Sequence, residues 1–224
     1  MSHTIFSTDR ASLWSPADGC RHAELDRSRL ERVLRGLLPL TAGPPETLLA
    51  LGALALQDDL TGLYNRRGFR LMAAEHALTA RRRPRQLRLV LIDIDDFKTI
   101  NDRHGHLVGD AVLTWCAQSM RAIFPRADVL ARVGGDEFAV LSISGTGCRL
   151  PSRLAGGIRR RSRAVGRPVA VSVSVGMARC DPRRPLMFAD LYRLADRRLY
   201  AQKRRRKTGI EPMPPRGLAS STDY

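Results

Sequence analysis

Apolar residues along this chain recur with two distinct periods. Leu30, Val33, Leu34, Leu37 and Leu38 fall at helical spacing and predict a helix over 27–40, with Asp26 placed to cap it. Thr41-Ala42-Gly43-Pro44-Pro45 breaks that pattern, and a second helix is predicted over 46–57. Further helices are predicted near 66–82, 109–124, 150–164 and 186–204. Leu87 to Ile94 (LRLVLIDI) is an apolar, β-branched run with the length of a buried strand. Residues 129–143 read as a hairpin, strand to tight Gly-Gly turn to strand. In 168–180, Val169, Val171, Val173 and Val175 alternate with small residues, which predicts a strand pair or hairpin. The order predicts an α/β sandwich, a mostly antiparallel central sheet flanked by helices, preceded by a short helical extension. The expected divisions are an extension at 1–56, a catalytic domain at 57–207 and a disordered Pro/Gly/Ser-rich tail at 208–224.

Composition narrows the function classes. The longest apolar stretch in the N-terminal part, Leu48 to Leu56, has nine residues and contains Gly52, far short of a membrane span. The first ten residues lack the basic-then-apolar pattern of a secretory signal, so a cytoplasmic protein is expected. Cys20, Cys116, Cys148 and Cys180 have no metal-ligand spacing and read as reduced packing or surface residues. The net charge of +16 sits wholly beyond residue 56, where 32 basic side chains face 16 acidic ones. Such a domain suits an anionic ligand. Aromatics make up only 5% of the chain, so stacking on single-stranded nucleic acid is not expected. The Arg runs at 81–83, 159–161 and 204–206 read as solvated helix faces or ends. Of 38 basic residues only Lys98, Lys203 and Lys207 are lysines, which suggests sites where a compact ammonium is required.

The candidate chemistry is acidic. Arg132-Val133-Gly134-Gly135-Asp136-Glu137-Phe138 puts two carboxylates directly after two glycines, which let a backbone approach a ligand closely. The buried strand ends in Asp93-Ile94-Asp95-Asp96-Phe97-Lys98. Carboxylates at the end of a buried strand are costly unless paired or metal-bound. Helix capping by Asp95 or Asp96 accounts for one of them, not for three beside Lys98. Asp93 and Asp136 on neighbouring strands would make a divalent-metal site for phosphoryl chemistry.

These residues resemble the GGDEF family of diguanylate cyclases. The signature stands complete at Gly134 to Phe138, and the likeness runs from about Asp58 to Lys207. Its blocks are 58–67 (DDLTGLYNRR), 93–102 (DIDDFKTIND), 105–110 (GHLVGD), 131–138, 173–176 (VSVG), and Ala195-Asp196 with Leu199-Tyr200. The resemblance implies a ferredoxin-like core and condensation of two GTP molecules into cyclic di-GMP with release of pyrophosphate. It implies Mg²⁺, with Mn²⁺ a possible substitute, on Asp93, Asp136 and the Ile94 carbonyl. Asp136 matches the proton acceptor and Glu137 supports it. Asn101 and Asp110 would read guanine, and His106 matches a further substrate-side position. Backbone groups around Phe97 and Lys98 would cradle the β- and γ-phosphates, with Lys203 and Lys207 as phosphate contacts. One chain holds one half-site, so a homodimer is implied. A regulator acting through residues 1–56 is open. The alternative is a catalytically silent GTP-sensing or docking module; the intact signature and metal carboxylates favour the enzyme.

Two departures stand out. The family's Arg-x-x-Asp product site is here Pro125-Arg126-Ala127-Asp128, which implies weak or absent feedback inhibition. The family's Tyr-x-Ala-Lys-x-x-Gly-Arg becomes Tyr200-Ala201-Gln202-Lys203-Arg204-Arg205-Arg206-Lys207, and Lys207 lacks the bidentate fork of an arginine.

Overall fold

The computed structural model describes residues 52, 54–82, 87–125, 128–142, 150–164, 169–180 and 188–208. Its elements are α1 (Arg66–Arg82), β1 (Leu87–Ile94), α2 (Phe97–His104) and α3 (His106–Ile123). They continue with β2 (Val129–Arg132), β3 (Glu137–Ser142), α4 (Leu150–Ala164), β4 (Val173–Cys180) and α5 (Phe188–Lys207). The helix expected over 27–40 and nearly all of the tail lie outside the described residues. Of the helix expected over 46–57, Gly52 and Leu54 to Leu56 are described and helical, whereas Gln57 is not helical but bridges to Tyr64.

The strands form one antiparallel sheet in the order β2-β3-β1-β4. β1 and β2 both run antiparallel to β3, so they are parallel to each other with β3 between them. That is a split β-α-β arrangement, as a ferredoxin-like core requires. β1 lies inside the sheet with both its faces covered, and this is why it reads as apolar at every position but Arg88 and Asp93. Val90, Ile92 and Ile94 join one core with Val112, Cys116 and Met120 of α3 and Leu154 and Ile158 of α4. Leu87, Leu89 and Leu91 join a second core with Phe69 and Met72 of α1 and Leu191, Ala195 and Leu199 of α5.

The helix predicted near 109–124 forms as α3, opening at His106; the short α2 that follows the Asp95-Asp96 pair meets it at Gly105, whose φ of 83° puts the chain in the left-handed region that glycine tolerates. Two expectations need correction. The region 168–180 contributes one strand among the described residues, starting at Val173; residues 169–172 belong to no strand. Alternation here marked one strand and its approach, because periodicity does not say where pairing begins. The 129–143 hairpin forms, but its connection is the four residues 133–136, and neither Gly134 nor Gly135 has positive φ. It is therefore not the two-residue turn expected of Gly-Gly.

α5 is seated closely on edge strand β4. A Cβ at Gly176 would overlap the Ala195 carbonyl oxygen. Gln202 Oε1 accepts from Val175 N at 2.7 Å, and Arg198 Nη1 donates to Met177 O at 2.6 Å. These bonds satisfy part of the open edge of β4, which among the described residues pairs only with β1. They also deliver the last turns of α5 to the carboxylate end of β1.

Candidate functional site

The end of β1 is the focus. Asp93 stands opposite Glu137 on β3 and Ser174 on β4. Side chains alternate along a strand, so Asp93 shares the α5 face of the sheet with Leu89 and Leu91. It is 4% exposed. Lys203 of α5 reaches it, with Nζ 2.6 Å from Asp93 Oδ2. Burial raises the pKa of Asp93, the Lys203 hydrogen bond lowers it, and the charges of Asp136 and Glu137 raise it further; the net direction is up. Asp136 is tied to the same strand end, since Ile94 N donates to Asp136 O at 3.2 Å.

The structure thus brings together Asp93, Asp136, Glu137 and Lys203. Among the described residues no three Asp, Glu, His or Cys side chains close into a ready-made metal cage. A cation nonetheless fits the chemistry present. Asp136 and Glu137 add to the burial that raises the pKa of Asp93, and an ammonium already sits on that carboxylate.

The glycines of the signature act differently from expectation. Val133 N and Gly134 N both donate to Glu137 O, at 2.9 and 3.3 Å. A Cβ at Gly134 would lie 2.5 Å from Glu137 Oε2, so this glycine makes room for that carboxylate. A Cβ at Gly135 would meet nothing within 4 Å, which leaves open space beside the turn. The turn is braced from outside. Arg132 Nε and Nη2 donate to Gly135 O at 3.0 and 2.8 Å, and its Nη1 pairs with Asp58 at 3.2 Å. Arg66 Nε donates to Val133 O at 3.0 Å.

A second group lies on α2 and α3. Phe97 packs partly buried against the α3-side core, and Lys98 is exposed on the first turn of α2. Asn101 Oδ1 is buried without a hydrogen-bond partner. It rests against Gly109, where any Cβ would overlap it. Asp110 follows directly and is exposed. A buried acceptor beside an exposed carboxylate suits a ligand edge rich in N–H donors. His106 opens α3 and is exposed, with no described contact to the other candidates. Lys207 ends α5, and its side chain lies outside the described ones.

Sequence reasoning expected Asp95 or Asp96 to cap α2. Asp96 does occupy the N-cap position, but in left-handed geometry (φ 54°, ψ 31°) and without a side-chain cap bond. Its carboxylate turns instead to Arg206, whose fork also takes Asp95. Ser174 Oγ donates to the other oxygen of Asp95 at 2.6 Å. Arg206 and Ser174 were not among the expected site residues. The one signal in the sequence was Arg206 standing where the family motif has glycine.

The product-site slot is also visible. Pro125 is exposed and Asp128 is 4% exposed, with Asp128 N donating to Pro125 O at 3.0 Å.

Comparison with known proteins places these observations. The family profile described as "Diguanylate cyclase, GGDEF domain" matches residues 55–208. The chain is 34% identical over 158 residues to a probable diguanylate cyclase, DgcC, of Escherichia coli K12, a match covering 69% of this chain and 42% of that protein. It is similar in structure to a truncated TpbB (YfiN) of Pseudomonas aeruginosa comprising only the GGDEF domain. There the TM-score is 0.57 at 35% identity, covering 66% of this chain and 89% of that one. It is also similar to the coiled coil and GGDEF domain of Caulobacter crescentus DgcB in complex with c-di-GMP. That likeness has a TM-score of 0.59 at 26% identity, covering 83% and 92% of the two chains. With the signature, the antiparallel sheet and the profile match in agreement, the chain belongs to the diguanylate cyclase GGDEF-domain family.

Proposed function

We propose that this protein is a diguanylate cyclase that joins two GTP molecules into cyclic di-GMP. The observation that carries the reading is Asp93: a buried carboxylate at the end of an inner strand, crowded by Asp136 and Glu137 and held by Lys203. Such a cluster is expensive to build and suits a site for metal-bound phosphates.

In this reading Asp93, the Ile94 carbonyl and Asp136 hold Mg²⁺, or Mn²⁺ in its place. The metal would neutralise the triphosphate and favour departure of pyrophosphate. Asn101 and Asp110 accept the N1–H and 2-amino hydrogens of guanine, which adenine does not offer on that edge. The first-turn N–H groups of α2, at Phe97 and Lys98, face the β- and γ-phosphates, and Lys203 and Lys207 add positive charge there. His106 lies on the substrate side. Asp136 takes the proton of the 3′-hydroxyl as it attacks the α-phosphate of the other GTP, with Glu137 beside it. A new P–O bond forms, the α–β phosphoanhydride bond breaks, and pyrophosphate leaves. General-base help of this kind is worth on the order of 10²–10⁴-fold.

Each chain supplies one GTP, so the active species is a homodimer with two-fold symmetry. The described residues include no helix long and apolar enough to cross a membrane, and we place the reaction in the cytoplasm. Residues 1–56 are the expected contact for a regulator. Feedback at the product site is weak, because Pro125 replaces the arginine and Asp128 is buried.

The test is direct. Purified protein with GTP and Mg²⁺ should yield cyclic di-GMP by chromatography, and Asp136→Ala should yield none. GTP bound without product, even after forced dimerisation, would identify a sensing module instead.

A further inference from the structure

We infer that Arg206 is a positioning residue that keeps the N-terminus of α2 open for the triphosphate; the inference rests on reading this site as a GTP site. The loop between β1 and α2 carries Asp95 and Asp96 side by side, directly before the N–H groups of Phe97 and Lys98. An aspartate at an N-cap ordinarily turns its carboxylate onto the N–H groups of the first turn. Here that would place a negative charge where the phosphates bind. Asp96 does not do so. It has left-handed backbone geometry, makes no side-chain cap bond, and gives Oδ2 to Arg206 Nη2 at 3.2 Å. It is the only non-glycine residue with positive φ among those described.

The same guanidinium takes Asp95 Oδ2 through Nη1. Asp95 is anchored independently: its N–H donates to Ser172 O at 3.0 Å, and its Oδ1 accepts from Ser174 Oγ at 2.6 Å. Arg206 is therefore clamped to a fixed carboxylate and uses its second nitrogen to hold a movable one. Two results follow for a polyanion approaching α2. The negative charge of the carboxylate pair is halved, and the first-turn donors stay free of an internal competitor. A lysine cannot bridge both carboxylates in the same planar fork. The seating of α5 on β4, through Gln202 and Arg198, puts Arg206 at this spot.

The experiment measures binding of the α,β-methylene analogue of GTP, which cannot release pyrophosphate, together with KM and kcat for GTP. Arg206→Gly and Arg206→Gln should weaken binding and raise KM about tenfold, with kcat changed far less. Adding Asp96→Gly to Arg206→Gly removes the competing carboxylate and permits the left-handed backbone, so binding should return to within about threefold of wild type. Thermal melting checks that each variant is folded. Analogue binding by Arg206→Gly equal to wild type would overturn the inference. So would a failure of Asp96→Gly to rescue, which would leave Arg206 with a merely structural role. Wild-type protein that binds no analogue would instead overturn the GTP reading on which this stands.

Discussion

Lys203 Nζ sits 2.6 Å from Asp93 Oδ2, joining the last turns of α5 to the end of the central strand. The pair links the charge of a half-exposed lysine to a carboxylate that is 6% exposed at its side chain. A divalent ion on Asp93 must share or displace that ammonium. Lys203→Gln should therefore bind Mn²⁺ several-fold more tightly without nucleotide, read from the free-ion paramagnetic resonance signal, while KM for GTP rises. Unchanged Mn²⁺ affinity would show that the lysine does not compete. Lys203→Arg keeps the charge but not the compact shape, and should lower turnover.

Asp93 also sets a pH dependence. Burial is the leading cause that raises its pKa above the ordinary 3.8, with Asp136 and Glu137 adding to it and Lys203 opposing. The native state then holds this proton more tightly than the unfolded chain. Its stabilising contribution is full below 3.8 and is lost as pH rises through the raised native value. Relative to Asp93→Asn, wild type should gain melting temperature as pH falls across that window. At neutral pH the variant should melt no lower than wild type, yet turn over no GTP. A variant clearly less stable at neutral pH would contradict the balance described.

Gly109→Ala tests the proposed guanine contact of Asn101. The added methyl would overlap Asn101 Oδ1, so the amide must rotate away from its buried position. Alanine fits a helix better than glycine, and a stability gain of roughly 1 kcal/mol would otherwise be expected. We expect instead a loss of GTP affinity of tenfold or so and weaker preference for GTP over ATP. Competition binding with both nucleotides measures each.

Asp58 and Arg132 couple the chain before α1 to the signature turn. Asp58 accepts from Thr61 N and Oγ1 at 2.9 and 2.7 Å and pairs with Arg132, which also holds Gly135 O. Arg132→Lys cannot reproduce both the fork on Gly135 and the Asp58 pair. It should cost about 1–3 kcal/mol of stability and slow turnover. A double-mutant cycle with Asp58→Asn should return a coupling energy clearly above zero, whereas additive losses would mean the two residues act separately.

Much of this protein was legible in one dimension. Helices α1, α4 and α5, strand β1 and the paired strands of the signature follow from apolar period and length. The runs Asp93-Ile94-Asp95-Asp96-Phe97-Lys98 and Gly134-Gly135-Asp136-Glu137-Phe138 marked the carboxylates that the fold brings together at the end of β1. Sequence set these because they depend on local spacing and on the cost of burying charge. Tertiary structure decided what those residues do to one another. The Gly134 role needed Glu137 folded back over it, and the Gly109 role needed α2 laid against α3. The release of Asp96 from its capping duty needed an arginine 110 positions away, brought there by α5 packing on β4. Period and composition carry no information about such distant pairs; only the three-dimensional seating of α5 does.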